Sequence, residues 1–230
     1  MKISVLGTGI VGRTLAEKLH DLNHEVRIGT RNVQNTLNKQ EKDGYGNDPF
    51  SHWHNQFKDL PLLSFKESVE DAKLIFNCTG GMVSIEVLER IGEELLNGKL
   101  LIDLANPLDF SQGMPPSLSP VNTDSLGEQI QKRFPMLKVV KSLNTMNCQL
   151  MVNPSMVQGD HNVFICGNYE DAKRVCSEIL QSFGWRSDLI IDLGDISNAR
   201  GTEMLLPIWL RLWGTLGTAA FNFHIQKNTN

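Results

Sequence analysis

Residues Gly7-Thr8-Gly9-Ile10-Val11-Gly12 set three glycines at GxGxxG spacing, directly after the apolar run Lys2 to Leu6 and ahead of Leu15, Leu19 and Leu22 at helical spacing. In such a strand-turn-helix each glycine has a physical reason to lack a side chain. The first makes the tight turn, the second lets backbone approach a pyrophosphate, and the third lets the helix pack on the strand. The unpaired N–H groups and the positive dipole end of a helix starting near Ile10 then hold an anion without any lysine. Gly7, Thr8, Gly9, Ile10, Val11 and Gly12 are therefore expected to cradle a dinucleotide.

The residues after the second strand select which dinucleotide. Glu25 to Gly29 restarts as a strand, and Thr30, Arg31 and Asn32 follow, with Arg31 nineteen positions beyond Gly12. An NAD-preferring fold carries Asp or Glu in that slot, where it accepts hydrogen bonds from the ribose hydroxyls. A carboxylate would repel a ribose phosphate, whereas a guanidinium offers it two parallel charge-assisted bonds and a neighbouring hydroxyl adds a third. The expected cofactor is NADP.

Positioning these residues takes alternating strands and helices. Leu60 to Phe65, Leu74 to Thr79, Leu100 to Ala105 and Lys138 to Leu143 read as strands, most of them separated by helical segments. The runs at 74–79 and 100–105 are almost continuously apolar, as in strands covered by helices on both faces. The class is α/β, a doubly wound parallel sheet. Beyond 150 the pattern shortens to a strand at Asn162 to Cys166, a helix at Tyr169 to Phe183, a strand at Leu189 to Leu193 and a closing helix from about 198 to 224. The expected organisation is a Rossmann domain over 1–150 and a small C-terminal lobe over 151–230. The Pro-, Ser- and Gly-rich stretch Asn106 to Ser125 is too long for an idle loop and is expected to border the site.

Other partners fit the sequence poorly. The net charge of −4 over 230 residues comes without a basic stripe to track nucleic acid. Cys78, Cys148, Cys166 and Cys176 form no CxxC pair and lie in or near apolar segments, as buried thiols of a reducing compartment do, so the cytoplasm is expected. Gly7, Gly9 and Gly12 interrupt the apolar N-terminus, which argues against a signal peptide. Met204 to Phe223 is long enough to span a bilayer but carries Pro207, Arg211 and Asn222, so it reads as a buried or subunit-pairing helix. His52 and His54 would lie on different faces of a helix without further ligands, so they read as solvated and no metal is expected.

Taken together, GTGIVGRTLAEKL, IGTRN, VVKSLNTMNCQLMVNP and DLGDISNARGTEMLLPIWLRL resemble the NADP oxidoreductases that use the deazaflavin coenzyme F-420, over nearly the whole chain. The cytosolic reductase domain of the six-transmembrane metalloreductases is similar too. The resemblance implies a hydride passing directly between a nicotinamide and a deazaflavin or flavin co-substrate. No side chain then acts as acid or base, and catalysis is alignment. It also implies a nicotinamide near Thr79-Gly80-Gly81, Asn106-Pro107 and Asn144-Thr145, segments expected at the carboxyl ends of strands where ligands of open parallel sheets lie. Trp209 and Trp213, four apart with Leu205, Leu206 and Leu216, form a stripe suited to a packed core or a homodimer seam. Two other readings remain open: an NADPH-binding redox sensor without turnover, and a small imine or hydroxyacid dehydrogenase relative. Against the second, Lys227 is the sole lysine after Arg174.

Overall fold

A computed structural model describes residues 1–44 and 46–228. One eight-stranded sheet organises them. Its strands are β1 (Lys2–Leu6), β2 (Glu25–Thr30), β3 (Leu62–Ser64), β4 (Leu74–Asn77), β5 (Leu100–Asp103), β8 (Lys138–Ser142), β9 (Val163–Gly167) and β10 (Ile190–Asp192). A two-stranded hairpin, β6 (Leu108–Asp109) and β7 (Ser117–Leu118), lies outside it. The spatial order is β10-β9-β8-β5-β4-β1-β2-β3, so the chain winds outward from β1 in both directions. The expected α/β class, a doubly wound and mostly parallel sheet, holds.

The helices are α1 (Ile10–Asp21), α2 (Val33–Asn38), α3 (Phe50–His54), α4 (Phe65–Val69), α5 (Ser84–Ile91), α6 (Glu93–Leu96), α7 (Leu126–Arg133), α8 (Cys148–Val152), α9 (Glu170–Ser182), α10 (Ala199–Met204) and α11 (Leu206–Leu216). They cover both faces, which is why β4 and β5 are buried at every residue. The two-residue period of a strand divides the core. Ile3, Val5, Leu74, Phe76 and Ile102 pack with Leu15 and Leu19 of α1 on one side, whereas Leu6, Ile75, Leu101 and Val139 pack with Leu88 and Ile130 on the other.

The structure departs from the sequence reading in four places. First, the C-terminal segment expected as a lobe adds β9 and β10 to the edge of the main sheet, and β9 pairs antiparallel with β8. Second, the run read as a strand over 60–65 yields to helix at Phe65. Ser64 caps α4 in a capping box, its backbone N–H donating to Glu67 at 3.0 Å while its hydroxyl accepts from the Glu67 N–H at 3.3 Å. Third, the helix expected over 198–224 is two helices. Pro207 opens α11, where its missing N–H costs nothing, and Gly217 ends it in a left-handed conformation at φ +65°. Residues 218–228 then run back without helix, and Phe223 accepts a hydrogen bond from the Asn162 N–H at 2.8 Å. Fourth, His54 is half-buried, stacked on Phe50 with its Nε2 2.8 Å from the Leu60 carbonyl, while His52 is exposed. Among the described residues no helix is long and apolar enough to cross a membrane.

Candidate functional site

The fingerprint turn is locked by contacts that tolerate no side chain. Gly7 lies at φ +113°, and a Cβ there would sit 2.7 Å from the Cys78 carbonyl oxygen. A Cβ on Gly12 would sit 2.2 Å from the Gly7 oxygen, while one on Gly9 would meet nothing within 4 Å. The turn is thus tight on the protein side and open on the side facing outward. Gly9 begins α1, and no side chain caps that terminus. These unfilled positions and uncapped amides fit the pyrophosphate of a dinucleotide.

Beside the turn lies a cleft of about 630 Å3, within the usual range of ligand sites. Gly9, Ile10 and Val11 form one wall, Thr79, Gly80 and Gly81 a second, and Asn106 and Phe110 belong to a third. Of the stretch Asn106 to Ser125, Leu108, Asp109 and Phe110 join Asn106 in lining this cleft. The second and third walls touch by backbone, since a Cβ on Gly81 would sit 2.1 Å from the Asn106 oxygen. Cys78 also lines the cleft, and burial, followed by Asp103 and Cys148, pushes its thiol far up, so it stays neutral.

Other expected residues are placed less directly. Asn144 is buried and holds Asn106, its Nδ2 donating to Asn106 Oδ1 at 2.9 Å while its carbonyl accepts from Asn106 Nδ2 at 2.8 Å. Pro107 is buried behind Asn106 and, like Asn144, is absent from the cleft wall. Beyond β2, Thr30 is buried and bonded to the Thr36 hydroxyl at 2.8 Å, and Asn32 caps α2 by accepting from the Asn35 N–H at 2.8 Å. Arg31 between them is exposed. Thr8 lines a smaller recess that it shares with Gly9, Arg13, Thr36 and Lys39.

The family described as NADP oxidoreductase, coenzyme F420-dependent, matches residues 2–107. An F420-dependent NADP reductase of Methanocaldococcus jannaschii is 25% identical over 215 residues, which are 92% of this chain and 92% of that one. The metalloreductase STEAP3 of Rattus norvegicus is also 25% identical, over 90% of this chain, but the match spans only 38% of the rat protein's length. The crystal structure of a putative F420-dependent NADP-reductase from Arthrobacter sp. FB24 is 55% identical, with a TM-score of 0.94, covering 99% of this chain and 100% of that one. The chain belongs to the coenzyme F-420-dependent NADP oxidoreductase family.

Two features of this NADP-dependent oxidoreductase escaped the sequence reading. Arg13 is nearly buried, its Nε donating to the Thr8 carbonyl at 2.9 Å and its terminal nitrogen to the Asp48 carbonyl at 2.7 Å, so it ties the fingerprint to the excursion that follows α2. A polar residue one step past the third glycine was the available signal. The second feature is a charged row beneath the cleft. Asn77, Asp103 and Lys141 are aligned across β4, β5 and β8, all three with no exposure. Lys141 Nζ lies 2.8 Å from Asp103 Oδ2 and 2.8 Å from Oε1 of Glu203, on α10. Burial alone would lower the Lys141 pKa, but Asp103 and Glu203 more than reverse that, and it remains an ammonium. No spacing in the sequence links Lys141 with a partner so far along the chain. The Ser197–Arg200 segment, quoted for the resemblance, packs on α7 through an Arg200–Glu128 ion pair of 2.6 Å, away from the cleft wall.

Proposed function

We propose that this oxidoreductase passes a hydride between NADPH and a flat deazaflavin or flavin-type acceptor, with onward reduction of ferric iron where a flavin is used. The carrying observation is the chemistry of the cleft. Ile10, Val11, Val83, Leu104, Leu108 and Phe110 give it apolar walls, and among the described residues its ionisable side chains are Asp43, Cys78 and Asp109. Hydrogen bonds from Ser111 hold Asp109 below the usual carboxylate range, so it is an anion at neutral pH and no proton donor. Among the described residues the cleft wall carries no lysine, histidine or tyrosine of the kind that protonates an imine or carbonyl during its reduction, whereas ring-to-ring transfer needs only alignment. The names of the archaeal reductase and the rat metalloreductase support acceptors of these two kinds.

Each group of residues has one task in this reading. The amides at the start of α1 bind the pyrophosphate, Arg31 meets the ribose phosphate while the Thr30 hydroxyl beside it is spent on Thr36, and Thr79 to Gly81 with Asn106 bound the nicotinamide end. Bound NADPH supplies the hydride. The apolar walls exclude water and orient the acceptor.

NADPH oxidation measured against coenzyme F-420, FMN, FAD and a ferric chelate tests the function. At least one ring acceptor is expected to turn over, and bound NADPH that none of them oxidises would favour a sensor. In the same assay Arg31→Ala should raise the NADPH Michaelis constant roughly 10- to 100-fold, the size of one or two charge-assisted hydrogen bonds, with little change for NADH. Equal effects on both cofactors would remove Arg31 from the site.

We further propose that α11 pairs two copies of the chain. Ile208, Trp213 and Leu216 are 47%, 39% and 54% exposed, and beside them the buried Trp209 N–H lacks a hydrogen-bond partner within the described residues. Light scattering at micromolar concentration should give twice the 25.8 kDa chain mass, and the chain mass itself would overturn the pairing.

A further inference from the structure

We propose that the buried row Glu203–Lys141–Asp103–Asn77 is the positioning device for the nicotinamide half of the cofactor, fixing from below the two loops that bound the cleft. This rests on the reading that places the nicotinamide between those loops.

On the cleft side the row reaches the backbone of both loops and the Thr79 side chain at the cleft wall. Asn77 Oδ1 accepts from the Thr79 hydroxyl at 2.6 Å and from the Thr79 N–H at 3.3 Å. Its Nδ2 donates to Asp103 at 2.7 Å and to the Ser84 hydroxyl at 3.0 Å, and Ser84 in turn donates to the Gly80 carbonyl at 3.1 Å. Asp103 Oδ1 accepts from the Ala105 N–H at 3.2 Å, and Lys141 donates to the Ala105 carbonyl. The loop after β4 and the loop after β5 are therefore held by one connected set of bonds, at the level where their backbones meet through Gly81 and Asn106.

At the far end Glu203 accepts from the N–H groups of Leu126 and Gly127 at 3.0 and 3.1 Å, which anchors the row on the start of α7. Two carboxylates and one ammonium leave a net negative charge, and the positive end of that helix offsets it. Burying ions is expensive, and apolar side chains of similar volume commonly give equal or better stability. Apolar side chains cannot fix the direction of a loop carbonyl and a loop amide. That direction is what the row secures, and it decides where a ring lying on Thr79, Gly80 and Asn106 sits.

Glu203→Gln alters the far end without touching the cleft, and Asn77→Ala cuts the near end. Two ligands separate positioning from plain stability: 2′,5′-ADP, which carries the adenosine half alone, and NADPH, whose nicotinamide fluoresces more strongly when immobilised. Both variants are expected to bind 2′,5′-ADP within twofold of the parent, to lose NADPH affinity at least fivefold, and to lose half or more of the bound-NADPH fluorescence enhancement. Asn77→Ala should show the larger change. A lower melting temperature with both affinities and the fluorescence unchanged would overturn the proposal, as would an equal loss for the two ligands. Neither readout uses an acceptor, so failure of every acceptor to turn over would strike the proposed function and leave this test standing.

Discussion

Gly12→Ala is expected to weaken NADPH binding at least ~100-fold, or about 2.7 kcal/mol, and to lower the melting temperature as well. The new methyl would lie 2.2 Å from the Gly7 carbonyl oxygen, far inside contact distance. That oxygen is backbone, and the turn cannot move aside. The Gly7 N–H is bonded to the Gly29 carbonyl at 3.0 Å, and behind it stands the Cys78 carbonyl. Gly9→Ala is the matching control. Its methyl meets nothing within 4 Å, so the melting temperature should stay within a degree or so of the parent while NADPH binding weakens, because the space it fills is the approach path of the pyrophosphate. Fluorescence titration and thermal melts of the two variants would check the pair. Gly12→Ala with affinity within threefold of the parent would show that the turn holds no phosphate.

The second large effect concerns stability. Lys141→Met should cost about 3–5 kcal/mol, because it strands Asp103 and Glu203 as buried carboxylates without their cation. For a chain of this size each kcal/mol is worth about 2–4 °C, which puts the expected fall in melting temperature at roughly 6–20 °C. Adding Asp103→Asn and Glu203→Gln to Lys141→Met should return most of it, since the unpaired charges are then gone. Calorimetry on the single and triple variants decides. A single variant that melts within 3 °C of the parent would mean that the carboxylates are hydrated or protonated in the folded state.

What was legible in the sequence follows from how local each signal is. The strand-turn-helix from Lys2 to Asp21 carries its own glycine spacing and apolar period, and β4 and β5 announce themselves as continuous apolar runs because helices cover both faces. Thr30 and Arg31 are singled out by counting from the fingerprint, a distance fixed by one helix and one strand. Other features depend on partners far along the chain. β9 is a short apolar strand buried at every residue, and such a run carries no mark of strand direction, so its antiparallel pairing with β8 was hidden. Lys141 lies three residues after Lys138 in a strand that offers it no acidic neighbour, and only the fold brings Glu203 to it. Some misses were avoidable. Ser64-Phe65-Lys66-Glu67 is a capping-box pattern and marks the start of α4, and Pro207 with Gly217 marks the two ends of α11.

The margins of the sheet have a bearing on solution behaviour. β3 and β10, the outermost strands, are three residues long each. Strands this short offer a passing chain almost no unpaired backbone to copy, a common defence against uncontrolled edge-to-edge growth. The pairing proposed through α11 would instead use a helix surface, where a face that matches its own copy closes the assembly at two chains.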